Sequence, residues 1–104
     1  MSDDQAAIEE LLKVSKPGAR HVFLQYLYFP ERSAAEEAAA ELQSLGFDTE
    51  NRLGADGVDW LVLARKELVA SEEMIATARQ QMEEVTRRLD GEYDGWEAEL
   101  QAGS

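Results

Sequence analysis

Arg20-His-Val-Phe-Leu-Gln-Tyr-Leu-Tyr-Phe29, closed by Pro30, is the stretch on which the fold turns. Its aromatic and β-branched residues favour a strand, and a proline directly after them ends it. Alternation places Val22, Leu24, Tyr26 and Tyr28 on one face and Phe23, Gln25, Leu27 and Phe29 on the other. Both faces are largely apolar, which predicts a central strand covered on two sides.

Working outward, Ser33-Ala34-Ala35-Glu36 has the form of a capping box and opens an alanine-rich helix. Ala35, Ala38, Ala39, Leu42 and Leu45 line one side of it, and Gly46 stands where a C-terminal cap belongs. Phe47 to Leu53 reads as a polar edge strand, and Gly54-Ala55-Asp56-Gly57 turns the chain back into an apolar strand from Val58 to Arg65. Ser71 is expected to cap a long helix in which Ile75, Ala78, Met82, Val85 and Leu89 recur at helical spacing, ended by Asp90-Gly91. Glu83 and Arg87, and Glu84 and Arg88, stand four residues apart in the order that favours ion pairs. A last strand runs from Glu92 to about Leu100; plain alternation puts Trp96, Ala98 and Leu100 on one side and Tyr93 on the other. Before all of these, Ser2-Asp3-Asp4-Gln5 resembles a cap in front of Ile8, Leu11 and Leu12, predicting a short helix ended by Pro17-Gly18.

The order strand, helix, strand, strand, helix, strand predicts an α+β domain. Its expected form is a ferredoxin-like α/β sandwich, with one antiparallel sheet, two helices on one face and an additional N-terminal helix. One domain over residues 1–104 is expected, with 1–18 as the N-terminal helix and 19–100 as the βαββαβ core. The other sheet face then needs a cover, either the amino-terminal helix or a second copy of the chain, so a homodimer is one expectation.

Composition narrows the function. There is no cysteine, which removes disulfides, thiolate metal sites and thiol nucleophiles and suits a reducing cytoplasm. No apolar run approaches the roughly 20 residues that cross a bilayer, and the acidic start leads into no signal peptide. Against 22 acids stand 10 bases, for a net charge of −12, which repels nucleic acid and anionic membrane and suits a basic protein surface. Residues 71–104 carry nine of the acids and three of the bases. Asp90, Glu92, Asp94, Glu97 and Glu99 follow one another without an intervening base, as a solubilising run would or as a contact surface would.

His21 opens a strand with no serine motif beside it, and the acyl-transfer, nucleotide and dinucleotide motifs are absent from the sequence. Asp90, Glu92, Asp94 and Gly95 imitate the start of a calcium loop, but Ala98 and Gln101 stand where the later ligands belong. Tyr26, Tyr28 and Trp60 can be placed where an RNA-recognition sheet stacks bases, yet the third strand lacks that motif's basic-glycine-aromatic character and the charge opposes phosphate. No catalytic residue, cofactor or metal is expected. What remains is Glu92-Tyr93-Asp94-Gly95-Trp96-Glu97, where two amphipathic aromatics stand among carboxylates. Tyr93, Asp94, Trp96, Glu97 and Glu99 are therefore the candidate protein-binding residues. The competing structural reading has Trp96 closing the core while Gly95 allows a bulge.

Glu92-Tyr93-Asp94-Gly95-Trp96 also resembles the Glu-Tyr-Asp-Gly-Trp signature of the bacterial regulator of ribonuclease activity B (RraB) family, protein inhibitors of ribonuclease E. Leu45-Gly46-Phe47 is similar to that family's Leu-Gly-Tyr step into its second strand, and Glu9-Glu10-Leu11-Leu12 to its amino-terminal helix. The resemblance implies a ferredoxin-like fold and a non-catalytic, cytoplasmic role: binding a ribonuclease E-type endoribonuclease and modulating RNA turnover. Well-studied members continue into a long acidic tail, whereas this sequence stops at Ser104, and inhibition is expected to weaken if that tail supplies part of the grip. The alternative is a dimeric domain of the same fold that binds a small molecule, or acts as an enzyme, on the open sheet face.

Overall fold

In the computed structural model, which describes residues 9–11, 13 and 20–99, the elements run β1 (Arg20–Phe29), α1 (Arg32–Ser44), β2 (Asp48–Leu53), β3 (Trp60–Val69), α2 (Glu72–Arg88) and β4 (Glu92–Glu99). Residues 9–11 and 13 are helical; Ile8, Leu12, Pro17-Gly18 and Leu100, which entered the expectations above, lie outside the described residues. The four strands form one antiparallel sheet in the order β2-β3-β1-β4, giving an α+β architecture with β1 and β3 in the middle. β1 has the bounds read from its sequence.

One sheet face carries the core. Phe23, Leu27 and Phe29 of β1 and Val62 and Ala64 of β3 pack with Ala35, Ala38 and Leu42 of α1 and Ile75, Met82 and Val85 of α2. Alanine's small side chain lets α1 lie close on the sheet, and each of these residues is almost wholly removed from water. Leu11 is buried in the same core, so the one described apolar residue of the amino-terminal segment lies on the helix side of the sheet.

Local chemistry sets the element ends. α2 is capped as expected, with Ser71 Oγ accepting from the Met74 N–H at 3.2 Å. α1 departs from expectation: its cap is Glu31, with no side-chain hydrogen bond, so Ser33 already lies inside the first turn and Glu36 pairs with Arg32 at 3.1 Å. Pro30 stops β1 and the helix starts at once, two residues ahead of the capping-box sequence. At the other end of α1, the Gly46 N–H reaches the Gln43 carbonyl and the Phe47 N–H the Leu42 carbonyl, with Gly46 at φ +95°. That is a Schellman close, and it needs a residue that tolerates positive φ. The ion pairs also differ from the sequence reading. Glu83 pairs with Arg79 at 3.3 Å, and Arg88 reaches across to Glu41, tying α2 to α1.

β3 continues to Val69, four residues beyond the Arg65 end read from the sequence. Arg65-Lys66-Glu67 has no hydropathic strand signal, yet it pairs along β1. Lys66 is held there by donating to the Leu45 carbonyl at 2.8 Å, with its ammonium 5.0 Å from the Phe47 ring centre.

Candidate functional site: the acidic edge strand and the open sheet face

β4 carries the candidate residues, and its register decides what they can do. Glu92 stands opposite Tyr28 and Tyr93 opposite Leu27; after a shift, Trp96 faces Gln25, Glu97 faces Leu24, Ala98 faces Phe23 and Glu99 faces Val22. Between Leu27 and Gln25 the partner strand advances by two residues while β4 advances by three. Gly95, at φ +104°, is the extra residue of a β-bulge.

The bulge sorts the side chains. Residues directly opposite share a sheet face. Tyr93, Trp96 and Ala98 therefore point with Leu27, Gln25 and Phe23 into the helix-side core, and all three pack against it. Glu92, Glu97 and Glu99 point to the other face with Tyr28, Leu24 and Val22; Asp94 lies on that side too, lining a hollow with Tyr28 and Glu92. Plain alternation had put Tyr93 on the side opposite Trp96; the bulge reverses that. Without an extra residue the pattern would also have split the acids between two faces. With it, four carboxylates form one row.

The aromatic pair is thus built into the fold. Trp96 is half-buried with its ring centre 5.5 Å from that of Phe23. The Tyr93 hydroxyl donates to Gln25 Oε1 at 2.6 Å, and Gln25 is only 2% exposed, so this bond serves a polar group that water does not reach. Asp94, Glu97 and Glu99 are exposed. The five candidates accordingly divide: Tyr93 and Trp96 on the core side, Asp94, Glu97 and Glu99 on the open face. Of the aromatics weighed for base stacking, Tyr26 and Tyr28 are on the open face, whereas Trp60, opposite Phe29, is on the other with the Arg32 guanidinium 5.5 Å from its ring centre.

Sequence reasoning named the open face only as an alternative small-molecule or enzyme site and left its middle residues out of the candidate protein-binding set. Val22, Leu24, Tyr26 and Tyr28 of β1 stand beside Leu61 and Leu63 of β3, an apolar and aromatic strip two strands wide. Five of the six are half-buried and Leu61 is 6% exposed, though it takes no part in the helix-side core. The signal was present in the two-sided apolarity of β1 and β3, but it reads equally well as burial.

Carboxylates border the strip. The paired positions of this face hold Asp48, Glu50, Glu67, Glu92, Glu97 and Glu99 against three guanidiniums, Arg20, Arg52 and Arg65. Arg52 is 3.4 Å from Glu50. Tyr26 joins strip to border: its hydroxyl donates to Glu97 at 2.5 Å, and that bond, with burial and the carboxylate's charge, pushes the phenol up to about 12. At the Tyr28 end, Asp56, Asp59, Glu92 and Asp94 surround an open hollow of about 330 Å³. Asp56 is engaged in its turn, where the N–H groups of Val58 and Asp59 hold its carboxyl below the usual range. Among the described residues no group of three or more histidine or carboxylate side chains is arranged to hold a metal ion, and no helix is long and apolar enough to cross a membrane. His21 is buried at the start of β1, with Nδ1 3.2 Å from the Glu99 carbonyl oxygen.

This arrangement offers a negative, tyrosine-bearing surface. No curated protein matches the chain. A protein-family model described as "Regulator of ribonuclease activity B" matches residues 2–98, nearly the whole sequence, and the chain therefore belongs to that family of regulators.

Proposed function

We propose that this protein is a non-catalytic, cytoplasmic regulator that binds a ribonuclease E-type endoribonuclease and restrains its cleavage of transcripts. Membership of a family of ribonuclease regulators supports a ribonuclease partner. The sheet order β2-β3-β1-β4 within a βαββαβ chain supports a ferredoxin-like sandwich with an additional amino-terminal helix.

The observation that carries the reading is the Gly95 bulge, which gathers Glu92, Asp94, Glu97 and Glu99 on one face beside the tyrosines. A carboxylate row of this kind steers and orients a basic protein surface. Asp94, Glu97 and Glu99 are the contacts, and Tyr93 and Trp96 act by holding β4 in the register that presents them. The test is transcript cleavage by the host's own ribonuclease E-type enzyme, with and without this protein. Cleavage should slow in proportion to the complex formed; an unaltered rate at saturating protein would end the proposal.

A further inference from the structure

We propose that the open sheet face is the floor for a basic amphipathic helix of a partner protein, laid along β1 and β3. Its apolar stripe would cover the strip from Val22 to Tyr28, and its arginines or lysines would meet the carboxylates on either side. This rests on the proposed function in taking a protein as partner, and it adds which face is used and what occupies it.

Size argues for a helix. Two adjacent strands span roughly 10 Å and seven residues of strand roughly 20 Å. An α-helix is about 10 Å across and covers that length in about 14 residues. The two chain helices already fill the opposite face, and among the described residues no helix covers this one. A third layer would complete the two-sided burial that β1 and β3 are built for. Addition of a strand to the β4 edge is less suited, because a bulge and a row of like charges interrupt that edge.

Charge selects the occupant. Six carboxylates against three guanidiniums at the paired positions, with Asp94 beside them, make the face acidic. A second copy would bring the same acids against themselves, and the chain's own Asp3-Asp4 segment carries the same sign. Nucleic acid is repelled for the same reason. The carboxylates stand on both outer strands, Asp48 and Glu50 on β2 and the longer row on β4, so basic residues are needed on both flanks of the apolar stripe. Tyr26 and Tyr28 supply amphipathic rings at the boundary, the side chains most often found as interface anchors.

The test titrates the isotope-labelled full chain with a synthetic helical peptide of about 14 residues, a leucine stripe flanked by arginines. Its counterpart with glutamate in place of arginine is the control, and backbone amide shifts are the readout. The arginine peptide should perturb β1, β3 and β4 and leave α1 and α2 unchanged, while the glutamate peptide should not bind. Glu92→Lys with Glu99→Lys should weaken binding roughly tenfold, whereas Glu73→Lys with Glu84→Lys, an equal charge change on exposed positions of α2, should not. Matching thermal melts would show that both double variants fold, and the loss of wild-type binding in high salt gives a readout free of mutation. Shifts confined to the helices, equal binding of the two peptides, or self-association through this face at working concentration would each overturn the proposal. The cleavage assay separates the two claims. A peptide that binds the face with no effect of the protein on the ribonuclease would remove the function and keep the helix site. Inhibition that survives Glu92→Lys with Glu99→Lys would remove the site and keep the function.

Discussion

Gly95 can be altered in two ways with opposite intuitive outcomes. At φ +104° it occupies backbone space that an L side chain rarely adopts, yet a Cβ built there meets nothing within 4 Å. Gly95→Ala therefore suffers conformational strain without a clash, a cost of about 1–2 kcal/mol. For a domain of this size that lowers the melting temperature by about 5–15 °C. Deleting Gly95 looks harsher and should be milder. Removing the extra residue leaves Tyr93 opposite Leu27 and Trp96 opposite Gln25, places Asp94 opposite Tyr26, and restores strict alternation without moving any β4 side chain to the other face. Thermal unfolding followed by circular dichroism and tryptophan fluorescence compares the two variants directly. A deletion that destabilises more than the alanine substitution, or an alanine variant within about 0.5 kcal/mol of wild type, would refute the bulge as the device that sorts the faces.

Three further outcomes are expected. Tyr93→Phe leaves the buried Gln25 amide without its donor and should cost about 1–2 kcal/mol in urea unfolding. In a cycle with Gln25→Leu the two effects should be non-additive, and strict additivity would count against the pair. Gly91→Ala should destabilise by about 1–3 kcal/mol. The added Cβ would lie 2.4 and 2.5 Å from Phe29 ring carbons and 2.7 Å from the Tyr28 carbonyl oxygen, so wild-type stability would contradict the packing described. Tyr26 should ionise near pH 12, and Glu97→Gln should return it toward 10, read by tyrosinate absorbance against a Tyr26→Phe control. Because the folded pKa is raised, the Tyr26–Glu97 contribution is intact below about pH 10 and is lost as pH climbs to about 12. A melting temperature flat across that window in wild type, set against the same two variants, would dispose of the bond.

The sheet was legible because its middle strands speak in hydropathy. Arg20–Phe29 alternates between two apolar sets and ends on Pro30, so both its bounds and its central place could be read. Ser71, Gly46 and the Asp90-Gly91 stop were legible as cap chemistry, although the last works differently from its appearance. Asp90 takes the positive φ of 58°, and Gly91 is required by the approach of Phe29. The end of β3 was hidden because Arg65-Lys66-Glu67 holds its strand through backbone pairing and one lysine contact rather than through apolar pattern. Ser33 misled because a capping-box sequence fits equally well inside the first turn of a helix that Pro30 allows to start early.

The candidate site was legible as composition and not as geometry. A run of acids interleaved with Tyr93 and Trp96 marked β4, but period-two alternation through Gly95 assigns the wrong faces. One inserted residue inverts the side-chain pattern of everything after it. The signature Glu92-Tyr93-Asp94-Gly95-Trp96 then has a physical meaning: acid out, aromatic in, acid out, bulge, aromatic in.

If the protein acts, as proposed, by setting its acidic sheet face against a basic surface of a ribonuclease, the affinity of the two must depend on salt. The carboxylate row predicts that the dissociation constant rises by roughly tenfold or more from low to high ionic strength, chiefly through slower association. An affinity unchanged across that range would rule out the acidic face as the contact surface.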